Sequence, residues 1–332
     1  MLKNVIENLI SIMKDKETIN LKDYDLIQII GCGSAYHAGL VGKYLIEETL
    51  DIKTEVYLGS EYRYNKIYYT DKTLVIVISQ SGETADTLAS LMKAKENHCY
   101  TLGIINTQLS TIARNCDEVY YINAGLEICV ATTKAYLLQV LMFSILVNKS
   151  LKLDTDEFNI LSKDIIELIN RDYSNIVDEI VNNDNIFFIG RGMDYALCME
   201  GCLKLKEVSY LHSEAYAAGE LKHGTISLIE DNILVIGVLT QSSVFEKTIS
   251  NMVECKARGA YLMGLTSNGH YSIEETADFV NYIPNAKLVV RAKKKINFDI
   301  SLKYVSVLNI VTGIDNCSIT LFISLFFLLF DC

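Results

Sequence analysis

The chain has 332 residues, 50% of them hydrophobic and 21% charged, which suits two folded domains and argues against a disordered chain. Lys and Arg number 30 against 41 Asp and Glu, a formal net charge of −11. With no basic excess to displace counterions, a sequence-independent nucleic-acid binder is not expected, although a local pocket for a small anion remains open.

In chain order, the first segment (MLKNVIENLISIMKDKET) is amphipathic and mixed in charge. It predicts a helix over residues 1–19 and lacks the apolar stretch of a signal peptide. Four short apolar, β-rich runs follow, Leu26–Ile30, Leu74–Ser79, Leu102–Ile105 and Val119–Ile122, separated by helical patterns. Continuous apolar strands alternating with helices indicate a parallel sheet covered on both faces. The polar stretch Asn148–Asn185 has a helical pattern and predicts a connecting helix within 151–180.

Beyond it the landmarks recur at an offset of about 160. Ile30-Gly31-Cys32-Gly33 with Tyr36 matches Ile189-Gly190-Arg191-Gly192 with Tyr195. The run ending at Ser81 matches the run ending at Ser242, Tyr100 and Gly103 match Tyr261 and Gly264, and Asp117 matches Asp278. The fold class is therefore α/β, two tandem copies over 20–150 and 181–310. Each is a doubly wound, mostly parallel sheet in an αβα sandwich. Ligands of such sheets bind beyond the carboxyl ends of the strands.

The last residues, 311–332, include the nearly all-apolar Ile319–Phe330. That run is well short of the roughly 20 residues that span a bilayer. A buried or interface segment, a divergent or frame-shifted end, and an anchor are the readings it leaves; no membrane partner is expected. Nine Cys include no CxxC pair, so zinc ribbons and thioredoxin-type sites are not supported. A cytoplasmic protein with reduced thiols is expected.

Ser79-Gln80-Ser81-Gly82-Glu83-Thr84 directly follows an apolar strand and precedes a helical run. A phosphate there would meet backbone amides, hydroxyls and the positive end of a helix. Simple helix capping explains the same residues, and without Gly-Lys-Ser/Thr this is not a nucleotide P-loop. The second copy has Thr240-Gln241-Ser242-Ser243 but lacks the following Gly-Glu-Thr, so the first copy is the better anion site. Gly31-Cys32-Gly33-Ser34 also follows a strand, but with Tyr36 in place of a third glycine it is no dinucleotide fingerprint. Lys204 and Glu207 share a helix face, as a solvated ion pair or as a carboxylate base tuned by its lysine. His223 follows the small-residue run Ala215–Gly219, and no histidine shows metal-ligand spacing.

These segments together resemble a known family. SQSGET, extended through Leu88, looks like the phosphosugar loop of sugar isomerase (SIS) domains. More narrowly, Ser60–Tyr64, Asn123–Lys134 and Glu200–Gly224 (EGCLKLKEVSYLHSEAYAAGELKHG) resemble the isomerase half of the glutamine–fructose-6-phosphate transaminase (glucosamine-6-phosphate synthase) family. The resemblance implies two SIS domains, a homodimer, and conversion of fructose 6-phosphate to an aldose (amino)sugar phosphate, with no metal or other cofactor. It matches Ser79, Gln80, Ser81 and Thr84 to phosphate-loop positions and Val130 and Thr132 to sugar contacts, with Ser34 among the substrate-binding residues. It matches Glu207 to the base moving a proton between C1 and C2, Lys204 to its neighbour, and His223 to a ring-opening histidine delivered to the partner subunit's site.

The chain also departs from that family. The family's glutaminase part with its N-terminal Cys is not expected here, so free ammonia or a separate glutaminase is the expected nitrogen source. The family's ending, whose Lys forms an imine with the ketose, is replaced by Gly313-Ile-Asp-Asn-Cys-Ser. The family's Thr-Ser is Ser34-Ala35, and its Gly before Val-Ala is Cys129. A non-catalytic phosphosugar-binding protein and a truncated remnant are the alternatives these changes raise.

Overall fold

The computed structural model describes residues 2–127, 131–153 and 174–283, together with 158, 167, 168 and 170–172. Val130, Cys129 and the apolar tail lie outside the described residues. The chain divides into two units, which we call unit 1 and unit 2, with the boundary between residues 165 and 166.

Unit 1 opens with helix α1 (Leu2–Asp15), whose Ile6, Leu9, Ile10 and Met13 form one buried stripe. Its five strands are β1 (Leu26–Gly31), β2 (Lys53–Leu58), β3 (Thr73–Ser79), β4 (Tyr100–Ile105) and β5 (Glu118–Tyr121), in the order β2-β1-β3-β4-β5. Every neighbouring pair is parallel. The strands alternate with α2 (Ser34–Leu50), the short α3 (Gly59–Tyr62), α4 (Ala85–Glu96) and α5 (Thr111–Asn115), and α6 (Lys134–Ser150) follows. Along β3 all seven residues are buried, because successive side chains point to opposite faces and both are covered. Val75 and Val77 pack with Leu91 and Ala94 of α4. Ile29 and Ile78 instead lie against Gly39 of α2.

Unit 2 repeats this plan. After α7 (Ser174–Val181), its strands are β6 (Asn185–Gly190), β7 (His212–Ala217), β8 (Leu234–Leu239), β9 (Tyr261–Ser267) and β10 (Phe279–Ile283). Their order, β7-β6-β8-β9-β10, is that of unit 1, and again all pairs are parallel. Helix α8 (Met193–Ser209) has the 17 residues of α2, and α9 (Phe245–Lys256) the 12 of α4.

The apolar runs read from the sequence are β1, β3, β4 and β5, each within two residues at its ends. The edge strands β2 (KTEVYL) and β7 (HSEAYA) carry no such run. Part-buried at the edge, these two strands tolerate the Lys, Glu, His and Ser that interrupt an apolar run. Among the described residues, no helix is long and apolar enough to cross a membrane.

Candidate functional site

In both sheets the chain leaves the first strand in one direction and later strands add on the other side. The reversal falls between β1 and β3 in unit 1, so the loops after these two neighbouring strands flank a crevice. Those loops are Gly31-Cys32-Gly33-Ser34 and Ser79–Thr84. Gly31 must be glycine, since a Cβ would stand 2.7 Å from the backbone of Ala35 and Tyr36. Gly33 turns the chain with φ 56°, where side chains are strained, and Ser34 opens α2 half-buried.

The Ser79–Thr84 loop is organised from within. Ser79, buried at the end of β3, accepts the Gly82 amide at Oγ (2.9 Å), and Ser81 accepts the Glu83 amide at Oγ (3.2 Å). Each hydroxyl oxygen thus accepts an amide hydrogen and still carries a hydrogen of its own, which in Ser79 can be shared with Thr84. Ser79 Oγ and Thr84 Oγ1 stand 3.4 Å apart, and Thr84 is the N-cap residue immediately before α4. Gly82 has φ 67°, and a Cβ there would overlap the Ser110 side chain. Glu83 pins the loop to α5 by accepting the Thr111 amide (2.6 Å), and that hydrogen bond lowers its carboxyl pKa. Ser81 is exposed and Gln80 half-buried. The result is a rigid, open ring of donors at a helix N-terminus, suited to a small anion.

Beside it lies a cleft of about 320 Å³ lined by Gln80, Asn106, Thr107, Asn123, Gly125 and Leu126. Asn106, which the sequence reading passed over, ties this cleft together. Its backbone N–H donates to Ser79 O (3.3 Å), its Oδ1 accepts from Ala124 N (2.7 Å), and its Nδ2 donates to Gly125 O (2.9 Å). The following loop ends at α6, whose first turn is held by Glu127. That carboxylate accepts the amides of Thr133 (3.1 Å) and Lys134 (2.8 Å), completing the helix N-terminus. Thr132 is half-buried immediately before this turn.

The titratable group of unit 2 stands on α8. Glu200, Lys204 and Glu207 fall on one face at spacings of four and three. Lys204 has no solvent exposure, so the solvated-pair reading does not hold. Its Nζ lies 3.5 Å from Glu200 Oε1 and is hydrogen-bonded to Glu207 Oε2. The Glu200 side chain is fully buried, whereas that of Glu207 keeps 21% exposure. One ammonium thus serves a sequestered carboxylate and one that reaches the surface of the unit. Glu200 went unassigned in the sequence reading, although its spacing of four from Lys204 was the available signal.

His223 is exposed in the turn after β7, with its backbone N–H donating to Glu220 O (2.9 Å). The structure therefore gathers Ser34, Ser79, Gln80, Ser81 and Thr84 around the crevice of unit 1. It joins Lys204 to Glu207 in unit 2 and leaves His223 on a loop of its own.

Comparison with known proteins agrees with this architecture. The profile described as SIS domain matches residues 20–149 and 179–294. The chain is 42% identical over 304 residues to a glutamine–fructose-6-phosphate aminotransferase (isomerizing) of Caldanaerobacter subterraneus subsp. tengcongensis, covering 86% of this chain and 49% of that protein. It is 43% identical over 289 residues to the protein of the same name from Clostridium acetobutylicum, covering 83% and 47%. The chain thus spans about half the length of the curated relatives it matches. Among solved structures, the C-terminal domain of glucosamine-fructose-6-phosphate aminotransferase from Francisella tularensis superposes with a TM-score of 0.79 at 28% identity, covering 94% of this chain and 92% of that one. A glucosamine-6-phosphate deaminase from Thermotoga maritima shares the fold, with a TM-score of 0.70 at 21% identity over 94% and 95% of the two chains. Two matched segments on two sheets of identical strand order place this chain in the SIS-domain family.

Proposed function

We propose that the chain is a phosphosugar isomerase of the glucosamine-6-phosphate synthase type, acting on fructose 6-phosphate. The observation that carries this reading is the Lys204–Glu207 pair. A buried lysine holds a carboxylate that still reaches solvent, as a base exchanging a carbon proton requires. The donor ring of Ser79, Ser81 and Thr84 suits the phosphate, and fixing a remote group orients the reacting carbon. Relatives named as aminotransferases of fructose 6-phosphate support the substrate class.

In the proposed reaction the open-chain ketose loses a C1 proton to the Glu207 carboxylate while O2 gains one, giving a 1,2-enediol. The same carboxyl then returns a proton to C2 while the O1 hydroxyl gives up its hydrogen, so ketose and aldose interconvert with no net change in composition. If ammonia first replaces O2, forming an imine and releasing water, the same proton shift gives the 2-amino aldose. His223, exposed on its turn, is assigned to ring opening in the site of a second copy, which makes a homodimer part of the proposal.

The test is to incubate the purified chain with fructose 6-phosphate in deuterium oxide, with and without ammonium. Glucose 6-phosphate, glucosamine 6-phosphate and deuterium at C2 are then followed by NMR. Formation of either aldose with deuterium at C2 supports the assignment. No product, together with retained hexose-phosphate binding, would replace it with a non-catalytic phosphosugar-binding role.

A further inference from the structure

The duplicated fold poses a question that its two crevices answer differently. Each begins with the same turn: Gly33 and Gly192 both have φ 56°, with ψ −129° and −126°. A Cβ on Gly31 would meet the backbone of Ala35 at 2.7 Å, and one on Gly190 would meet that of Asp194 at 2.7 Å. Residues 35 and 194 therefore occupy the same place at the start of equivalent helices. One is a methyl group and the other a carboxylate.

Asp194 is 1% exposed and points its carboxylate at the loop following β8. Its Oδ2 accepts the backbone amides of Thr240 (2.8 Å) and Gln241 (3.2 Å), and its Oδ1 accepts the Thr240 hydroxyl. Thr240 and Gln241 follow the central strand of sheet 2 as Ser79 and Gln80 end and follow that of sheet 1. Gln241 closes over the turn by donating from Nε2 to Arg191 O (2.7 Å). Two amides and a hydroxyl converging on two anionic oxygens constitute an anion cradle with its ligand in place.

We propose that Asp194 is a built-in carboxylate ligand filling the anion cradle of unit 2, so that phosphate is taken by unit 1 alone. The part concerning unit 1 rests on the functional reading above; the part concerning Asp194 does not. Removing this carboxylate opens a site for a small oxyanion such as formate or phosphate. Placing a carboxylate at position 35 closes the cradle of unit 1.

The first test is thermal unfolding of the full chain as wild type and Asp194→Ala, titrated with sodium formate against sodium chloride at equal ionic strength. The variant is expected to melt lower and to recover several degrees in formate, while the wild type shifts little. Equal responses of the two proteins to formate would overturn the assignment. Should Asp194→Ala fail to fold, Asp194→Asn keeps one oxygen acceptor in the cradle and is read by the same formate titration. The converse variant, Ala35→Asp, is measured by calorimetric titration with inorganic phosphate. Binding roughly tenfold or more weaker than wild type, at unchanged melting temperature, is expected. Unchanged phosphate affinity would overturn the equivalence of the two cradles. A wild type that binds no phosphate would instead sink the functional reading, while the formate response still decides the role of Asp194.

Discussion

Lys204 stands between Glu200 and Glu207 on one face of α8, contacting the buried carboxylate of the first and the part-exposed carboxylate of the second. The arrangement is asymmetric: the Glu200 side chain beside the lysine is fully buried, whereas that of Glu207 also reaches solvent. Removing the lysine therefore has different consequences at its two ends.

Lys204→Met should leave a carboxylate buried beside an apolar side chain. The expected loss is about 3–5 kcal/mol of stability, the usual cost of stripping one partner from a buried pair. The double variant Lys204→Met, Glu200→Gln should recover most of that loss. Urea unfolding of the three proteins checks both statements. An unchanged midpoint for the single variant would refute the pair's structural weight.

Glu207→Gln keeps the shape of the side chain and removes its ability to take a proton. Turnover of fructose 6-phosphate should fall by about 10²–10⁴-fold, the range for loss of a general base. Hexose-phosphate affinity should stay within a few-fold of wild type. Progress curves alongside calorimetric binding separate the two, and a variant turning over at the wild-type rate would remove Glu207 from the mechanism.

Gly82→Ala puts a Cβ at φ 67° and into the Ser110 side chain. The backbone cost alone is of order 1–3 kcal/mol, and the loop amide held by Ser79 would be displaced. Reduced stability with weaker phosphate binding is expected from thermal melts and calorimetry. Ser79→Ala, which removes the acceptor of that amide without adding bulk, should weaken phosphate binding with a smaller loss of stability.

Each sheet carries an equivalent acid-sensitive carboxylate of its own. Asp117 is raised by burial, but hydrogen bonds from the Thr101 hydroxyl and amide and the nearby Lys95 outweigh this and hold its pKa below the ordinary 3.8. Asp278 behaves alike, with burial outweighed by the Leu262 amide and Lys256. A carboxyl depressed in the folded state contributes its stability above its unfolded pKa, and loses it as pH falls through the folded value. The urea midpoint should therefore decline below about pH 4. Asp117→Asn and Asp278→Asn should each lower the neutral-pH midpoint and flatten the decline, as measured by urea titrations from pH 7 to pH 3.

The sequence determined strands β1, β3, β4 and β5, the duplication, and the hydroxyl-rich residues of the Ser79–Thr84 loop. Fully buried parallel strands are nearly continuously apolar, and a turn against a helix N-terminus favours small and hydroxyl-bearing residues. Both requirements act along short stretches of chain and so leave local marks. Strands β2 (KTEVYL) and β7 (HSEAYA) left none, because these part-buried edges carry polar and charged residues that interrupt any apolar run. Asn106 and Glu200 were visible only as letters. Asn106 acquires its meaning from Ala124 and Gly125, partners that neighbour it only once β4 and β5 pair. Glu200 acquires its meaning from burial, which spacing alone does not specify. Tertiary structure also decided what distinguishes two nearly identical turns. Whether the residue after Gly-x-Gly-x faces a loop of amides depends on the loop after the next strand in the sheet. Only folding brings Asp194 to Thr240, 46 residues away along the chain.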